Sequence, residues 1–243
     1  MPLSRDVLDD EHADALDMSA IHEQQPTAHD VRRRGDASRV AGPDASPVLG
    51  AVVEALSRAL ELHDYRRGVY GETPAHIERV TSLALRLAER VASELASDPQ
   101  LAAGFRLHDI GMIGVPTTVI AKPGPLTEDE VNEIQEHAWL GERIVAPIGC
   151  LNGLARQVIA CHHEQWDGSG YPRGLRGLEI PLAARIFAVV DAYDSMTNVQ
   201  PYREPLPVEV ALSEIDAKSR SHFDPDVVAV FVAMHGDSQA VGA

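Results

Sequence analysis

Between residues 73 and 96 the chain repeats apolar side chains every three or four positions, the spacing of one face of an α-helix. The repeat consists of Ile77, Val80, Ala84, Leu87, Val91 and Leu95. Thr73 followed by Pro74 is typical of an N-cap and a first helical residue, and Asp98-Pro99 ends the pattern. A long helix with one apolar face must bury that face against other elements. This stretch therefore predicts a helical core.

Helix signals recur along the rest of the chain, whereas the alternation typical of β-strands is absent from the sequence. An earlier helix is predicted from one face that carries Val52, Val53, Leu56, Leu60 and His63. A capping box at Thr127–Glu130 opens a helix that carries His137. The other predicted helices run over about 100–110, over about 151–163 and from Pro181 to about Asp194, and two more begin at Pro207 and at Asp224-Pro225. The sequence thus predicts an all-α bundle of about seven to nine helices, with a glycine-rich loop over 167–177.

Residues 1–46 differ from the remainder, since they carry ten acidic and five basic side chains and no aromatic residue. Such a composition favours an acidic tail that is disordered or weakly helical. The predicted domain organisation is therefore this tail followed by one helical domain over 47–243.

Charge and hydropathy exclude several classes of function. Lys and Arg number 21 against 37 Asp and Glu, a formal net charge of −16, which opposes binding to a nucleic acid polymer. The sequence has no apolar run of about 18 residues and no basic-then-apolar start, so we expect neither a membrane span nor a membrane partner. Two cysteines form no disulfide framework, and we expect a cytoplasmic protein.

Histidine is over-represented, with 11 residues against two lysines. Five histidines and two aspartates lie at the polar edges of successive predicted helices: His76, His108, Asp109, His137, His162, His163 and Asp191. A helical bundle can direct such side chains into one interior site. Seven ligands are too many for one ion but suit two transition-metal ions, with a carboxylate such as Asp109 bridging them. Two ions about 3.5–4 Å apart can hold a hydroxide and assist an in-line phosphoryl displacement, which favours a binuclear phosphate-ester hydrolase.

Two motifs carry a resemblance to a known family. His108-Asp109-Ile110-Gly111 resembles the signature of the HD superfamily of metal-dependent phosphohydrolases. The run from His162 to Pro172, His-His-Glu-Gln-Trp-Asp-Gly-Ser-Gly-Tyr-Pro, resembles its HD-GYP subfamily, which hydrolyses cyclic di-GMP. The resemblance extends to His222-Phe223-Asp224-Pro225 and covers about residues 70–235.

This resemblance implies a full set of site residues. It implies His76, His108, Asp109, His137, His162, His163 and Asp191 as ligands of divalent ions, Fe or Mn. Some members hold a third ion, so two or three ions stay open: Glu72 is either a ligand of the third ion or a solvated loop carboxylate. His108 and Asp109 would be catalytic, and Gly170, Tyr171, Pro172 and Arg203 would contact a cyclic dinucleotide. The same loop is linked in the family with diguanylate cyclase (GGDEF) partners. Arg185 is interpreted as a structural ion-pair residue.

The sequence departs from the family at two positions. Met112 replaces the lysine that usually follows His-Asp-x-Gly, and Gln200 replaces an arginine that often precedes Pro-Tyr. Both changes remove positive charge from the expected phosphate side. Three hypotheses therefore stay open: a cyclic di-GMP phosphodiesterase giving pGpG or GMP, a phosphohydrolase for another cyclic dinucleotide or nucleotide, and a weakly active adaptor that binds ligand or a GGDEF partner.

Overall fold

The structure is a computed structural model that describes residues 45–67, 74–199 and 204–240. The predicted tail over 1–46 lies almost entirely outside the described residues. Within them the chain forms α-helices and no β-strand, which confirms the predicted all-α class. The helices are α1 (Ala45–Arg67), α2 (Pro74–Val91), α3 (Ser93–Ala96), α4 (Pro99–Arg106), α5 (Thr117–Ile120), α6 (Glu128–Gln135), α7 (His137–Val145), α8 (Leu154–Cys161), α9 (Leu182–Thr197), α10 (Val208–Ala217) and α11 (Pro225–Ala240).

The predicted helix starts agree with the structure better than the predicted helix lengths do. The Thr127 capping box opens α6, and prolines open α9, α10 and α11 as predicted. The long helix predicted to reach Leu95 instead ends at Val91. It ends there because Ala92 leaves helical geometry, with φ −159° and ψ 89°, before α3 begins. Likewise a turn at Glu136 separates α6 from α7, so His137 begins a helix of its own.

Three apolar clusters form the core of the described residues, the smallest of them around Cys161 and Ile180. The first joins α2, α4, α8, α9, α10 and α11 and contains Phe105 stacked on Phe187 with ring centroids 5.2 Å apart. The second joins α1, α4, α7 and α8 around the turn that follows α4, where Leu107 and Ile110 are fully buried. His108 and Asp109 occupy that turn, between Leu107 and Ile110. The motif is therefore anchored by core side chains on both sides.

Candidate metal centre

Five separate segments bring together the seven residues that sequence reasoning selected as ligands of two ions. His76 comes from the first turn of α2, His108 and Asp109 from the turn after α4, and His137 from the start of α7. His162 and His163 follow α8, and Asp191 lies in α9. They form two groups, and within each group the potential ligand atoms all lie within 4.8 Å of one another. One group is Asp109, His137, His162 and His163, and the other is His76, His108 and Asp191.

Asp109 lies between these two groups. Its Oδ1 atom is 3.2 Å from Nε2 of His137 and 3.5 Å from Nε2 of His162. Its Oδ2 atom is 3.9 Å from Nε2 of His108, which belongs to the other group. One carboxylate thus presents one oxygen to His137 and His162 and the other to His108, an arrangement suited to a ligand that bridges two ions through both oxygens.

Backbone contacts set which histidine nitrogens face the centre. Nδ1 of His108 lies 2.9 Å from the Phe105 carbonyl, Nδ1 of His137 lies 2.7 Å from that of Ile134, and Nδ1 of His162 lies 3.1 Å from that of Ile159. A carbonyl only accepts, so each Nδ1 carries the hydrogen and donates it. In a neutral ring this leaves a lone pair on Nε2, the form that binds a metal.

The facing rings of His137 and His162 test whether a metal ion fits. Their Nε2 atoms are 3.2 Å apart, close to Oδ1 of Asp109. Two lone pairs at this distance repel each other unless a proton or a cation lies between them. A divalent cation would satisfy both rings and the carboxylate, so the donor chemistry fits a metal ion.

Burial and neighbouring charges favour the metal-binding protonation state of Asp109, His162 and His163, but not that of His137. Burial raises the pKa of Asp109, but His108 and the hydrogen bonds of His137 and His162 outweigh it and hold that pKa well below its usual range. Burial lowers the pKa of His162. Burial and the neighbouring His162 ring together hold the pKa of His163 well below its usual value. For His137 burial also lowers the pKa, yet the contact with Asp109 outweighs it and raises the pKa. The centre thus combines an ionised carboxylate with neutral rings at His162 and His163.

Gly111 explains why the motif needs glycine two residues after Asp109. A Cβ atom at Gly111 would lie 1.8 Å from the His137 carbonyl oxygen and 2.5 Å from the Gly141 nitrogen. The short 3₁₀ turn over Ile110–Gly114 therefore touches α7 backbone to backbone. This close approach brings Asp109 to the first residue of α7.

The glycine-rich loop packs Tyr171 on the ligand cluster. Its ring stacks on His163 with centroids 4.7 Å apart and planes at 28°, and it meets His137 edge-on at 6.2 Å. Gly170 permits this because a Cβ there would lie 2.2 Å from the Gln165 nitrogen. The Tyr171–Pro172 peptide bond is cis. The predicted Gly-Tyr-Pro segment thus borders the centre.

Sequence reasoning missed Asp194, which contacts a proposed ligand directly. Its Oδ2 lies 2.7 Å from Nδ1 of His76, and Arg79 donates from Nε and Nη2 to its two oxygens at 2.7 and 2.8 Å. Burial raises the pKa of Asp194, but the hydrogen bonds from Arg79 and His76 outweigh it and lower the pKa to about 2. The signal was present as two pairs with i,i+3 spacing, His76 with Arg79 and Asp191 with Asp194, each on one helix face.

Two buried or half-buried glutamates that sequence reasoning also missed hold the loop beside Tyr171. Glu164 accepts hydrogen bonds from the backbone nitrogens of Arg173 and Leu175 at 2.8 and 2.9 Å. Glu142 of α7 accepts from the side chains of Arg156 in α8 and Arg173 in the loop. The loop is thereby tied to the helices that carry His137 and His162.

The remaining predicted residues divide into three cases. Glu72, Gln200 and Arg203 lie outside the described residues. Arg185 forms an ion pair with buried Asp224 and donates to the Ile180 carbonyl at 2.9 Å, which confirms its structural interpretation. Met112 packs against the second apolar cluster.

A cavity of about 180 Å³ adjoins the centre. Its lining includes His162, His163 and Asp191. His222, to which the sequence assigned no role, lines it from the segment before α11. The ligand groups thus lie beside open space rather than being sealed in the core.

Fold and site together define an all-α protein with a histidine-rich centre suited to metal ions. A family model described as the HD domain matches residues 54–227, and the chain belongs to this family. That match spans the segments that supply all seven residues of the centre.

Similar proteins agree with the predicted HD-GYP resemblance. The chain is 38% identical over 187 residues to a cyclic di-GMP phosphodiesterase of Thermotoga maritima, covering 76% of this chain and 49% of the relative. It is 37% identical over 157 residues to the 3′3′-cGAMP-specific phosphodiesterase 3 of Vibrio cholerae, covering 65% and 34%. The chain spans about half the length of the first of these curated relatives and a third of the second.

A solved structure supports the same fold. It is described as an HDG"Y"P protein from Bdellovibrio bacteriovorus and superposes with a TM-score of 0.53 at 16% identity. The superposition covers 79% of this chain and 68% of the other. The predicted resemblance to the HD-GYP subfamily is confirmed by these comparisons.

Proposed function

We propose that the chain is a metal-dependent phosphodiesterase that hydrolyses cyclic di-GMP to pGpG, GMP or both. The observation that carries the proposal is Asp109, whose two oxygens face two separate groups of imidazole and carboxylate donors. The relative in Thermotoga maritima, which bears the name cyclic di-GMP phosphodiesterase, supports the choice of substrate.

The proposed ligands divide between two ions that share Asp109. His137, His162 and His163 would hold one, and His76, His108 and Asp191 the other. When bound, such ions supply Lewis acidity toward a phosphate and a source of hydroxide at neutral pH. Mixed imidazole and carboxylate donors suit Fe or Mn, which we propose as the metals of a two-ion centre. Glu72 is the proposed ligand of a third ion if the chain binds one.

The protein's own residues would orient these ligands and place the substrate. Carbonyl contacts fix the rings of His108, His137 and His162, while Tyr171 covers one face of His163. A fixed ring loses less freedom when it binds an ion, so these contacts preorganise the centre. Gly170, Tyr171, Pro172 and Arg203 would contact the cyclic dinucleotide, and His108 and Asp109 are the proposed catalytic residues.

Product analysis tests this proposal. The chain, loaded anaerobically with Fe²⁺ or with Mn²⁺, is incubated with cyclic di-GMP, and the products are separated by chromatography. We expect pGpG or GMP to form only in the metal-loaded samples. Full metal occupancy without cleavage of cyclic di-GMP would contradict the proposed function.

A second candidate is cleavage of another cyclic dinucleotide or nucleotide. It is favoured by the similarity to a cGAMP-specific relative and by Met112, which packs in an apolar cluster where the family has lysine. Competition between cyclic di-GMP and 3′3′-cGAMP in one reaction distinguishes the two. A larger kcat/KM for 3′3′-cGAMP would support the second candidate, and exclusive cleavage of cyclic di-GMP would reject it.

Restoring two charges tests the third hypothesis, a weakly active adaptor. One charge-assisted phosphate contact contributes about 1.5–3 kcal/mol, so in the double variant each of Met112→Lys and Gln200→Arg should contribute a rise in kcat/KM of about ten- to a hundredfold if the missing charges limit activity. Because Met112 packs in an apolar cluster, the free energy of unfolding is measured for the same variants. Unchanged kcat/KM in a folded double variant would show that these charges are not limiting.

Other partners and localisation stay predictions. A diguanylate cyclase partner, the absence of a nucleic acid polymer or membrane partner, and a cytoplasmic location rest on sequence reasoning. In the part of the chain that the structure describes, none of the helices combines the length and apolar character needed to cross a bilayer.

A further inference from the structure

The His76 ring contacts two carboxylates through its two different nitrogens. Nε2 lies 3.6 Å from Oδ1 of Asp191, a proposed ligand, and Nδ1 lies 2.7 Å from Oδ2 of Asp194, which is not one. The two aspartates are one turn apart on α9. The first side of the ring thus faces the centre, and the second faces a carboxylate behind it.

Asp194 is itself held in place from two helices. Arg79, one turn after His76 on α2, donates two hydrogen bonds to it, at 2.7 and 2.8 Å. Asn198, the residue that directly follows α9, donates to its Oδ1 at 2.9 Å. With 5% of its surface exposed, Asp194 is a buried anion whose orientation is set by three neighbours.

The other rings are oriented in a different way. His108, His137 and His162 each contact a neutral backbone carbonyl three residues earlier in the chain. Among the ring contacts that the structure describes, His76 is the one whose Nδ1 lies on a carboxylate. An anion at Nδ1 makes Nε2 a stronger base than a neutral carbonyl does, and it fixes the tautomer that binds a metal.

We infer that Asp194, held by Arg79 and Asn198, is a positioning residue that sets the metal affinity of the His76, His108 and Asp191 group separately from that of the group around His137. The inference rests on the proposed metal centre. Loss of such a carboxylate behind a ligating histidine weakens metal binding by about 10- to 100-fold. The neutral contacts behind the other group are untouched by that loss, so the effect falls on one ion.

Mn²⁺ titration of the whole chain tests this inference, with free Mn²⁺ followed by its electron paramagnetic resonance signal. In Asp194→Asn we expect one ion to bind about 10- to 100-fold more weakly, while the Kd of the other stays within about twofold of the original. His163→Ala is the reciprocal variant, and it should weaken the ion that Asp194→Asn leaves unchanged. Equal weakening of both ions, or no change in either, would overturn the inference.

A matched control separates this effect from the loss of a buried ion pair. Asp224 is also a buried carboxylate paired with an arginine, Arg185, and Asp224→Asn should leave both Mn²⁺ affinities unchanged. If Asp194→Asn does not fold, Arg79→Gln removes the two arginine hydrogen bonds to Asp194 but keeps its contacts with His76 and Asn198. This variant should weaken the same ion by a smaller factor, and equal affinities in Arg79→Gln and the unmodified chain would contradict the inference.

The unmodified chain distinguishes failure of this inference from failure of the proposed function. If it binds no pair of Mn²⁺ ions, the proposed metal centre and the role of Asp194 both fail. If it binds two ions and Asp194→Asn changes both affinities by the same factor, the inference about Asp194 is wrong while the proposed metal centre stands.

Discussion

At the scale of single residues, Asp109 makes the centre one unit rather than two. Its oxygens lie 3.2 Å from His137 on one side and 3.9 Å from His108 on the other. Its pKa is held well below the usual range by the neighbouring histidines against the effect of burial, so it supplies a negative charge at neutral pH. A change that keeps its shape and removes this charge therefore tests its role most cleanly.

Asp109→Asn should lose metal ions from both groups. The amide keeps an oxygen on one side but presents no negative charge to either ion. Loss of a residue that only supports a metal ligand weakens metal binding by about 10- to 100-fold. We expect loss of the Asp109 charge to lower the affinity for Mn²⁺ by at least that factor. Metal retained after dialysis, measured by elemental analysis, checks this prediction.

The control for Asp109→Asn is the same chemical change outside the centre. Asp98 caps α4 by accepting a hydrogen bond from the Gln100 nitrogen at 2.8 Å, and asparagine is an equally good cap. Asp98→Asn should therefore leave metal content and stability unchanged. Metal retention by Asp109→Asn equal to that of the control would rule out a bridging role.

Seven residues of the centre could be chosen from the sequence because each is a histidine or aspartate in a recognisable motif or at a predicted helix edge. Asp194, Glu164 and Glu142 could not be chosen, although each supports the site. Their roles depend on contacts between segments far apart in the chain, such as the 2.7 Å contact of Asp194 with His76, 118 positions away. The i,i+3 pairs His76–Arg79 and Asp191–Asp194 show which side chains share a helix face, but local spacing does not show that the faces of α2 and α9 meet.

At the scale of elements, the position of His137 depends on how α7 meets the turn after α4. The sequence placed His137 within a helix that began at Thr127, but the structure starts a new helix there. Local signals identify where a helix starts, through caps and prolines, more clearly than where it breaks. The breaks at Ala92 and Glu136 follow no proline or glycine, so propensity alone did not predict them.

Gly111→Ala tests the contact between this turn and α7. The new methyl group would lie 1.8 Å from the His137 carbonyl oxygen, so backbone must move. Such overpacking costs about 1–3 kcal/mol, occasionally more, and we expect metal binding to weaken as Asp109 shifts from His137. Urea denaturation gives the free energy of unfolding.

Gly149 provides the matched substitution, since a Cβ there meets nothing within 4 Å. Gly149→Ala should change the free energy of unfolding by no more than about 0.5 kcal/mol. If Gly111→Ala were equally harmless, the proposed reason for glycine in the motif would be wrong.

Glu142 links α7, α8 and the glycine-rich loop, and its contribution should depend on pH. Burial raises its pKa, but the hydrogen bonds from Arg173 and Arg156 outweigh it and lower the pKa. A lowered pKa stabilises the fold above the unfolded value of about 4.3, and that stabilisation is lost as pH falls through the folded pKa. At pH 7, Glu142→Gln should cost about 1 kcal/mol, because both arginines are partly exposed.

The comparison of the free energy of unfolding at pH 7 and below pH 4 checks this prediction. The difference between the unmodified chain and Glu142→Gln should be present at pH 7 and should shrink as Glu142 becomes protonated. A difference that is constant across this range would show that the charge of Glu142 plays no part.

At the scale of the whole molecule, the proposed metal centre would reconcile the net charge of −16 with the proposed anionic substrate. Bound divalent ions supply positive charge locally where the protein as a whole repels anions. The helical class and the family could be predicted from periodicity and from two motifs. The order in which the helices pack could not, because α2 and α9, which carry His76 and Asp191, are separated by 90 residues between Val91 and Leu182.

Metal content and turnover measured on the same sample test the central claim most directly. Chains prepared with graded Mn²⁺ or Fe²⁺ occupancy are analysed for metal and assayed with cyclic di-GMP. We expect no turnover in the metal-free chain and activity that rises as the occupancy of two ions per chain is approached. Turnover in the metal-free chain, or two ions bound without cleavage of any cyclic dinucleotide, would contradict the account.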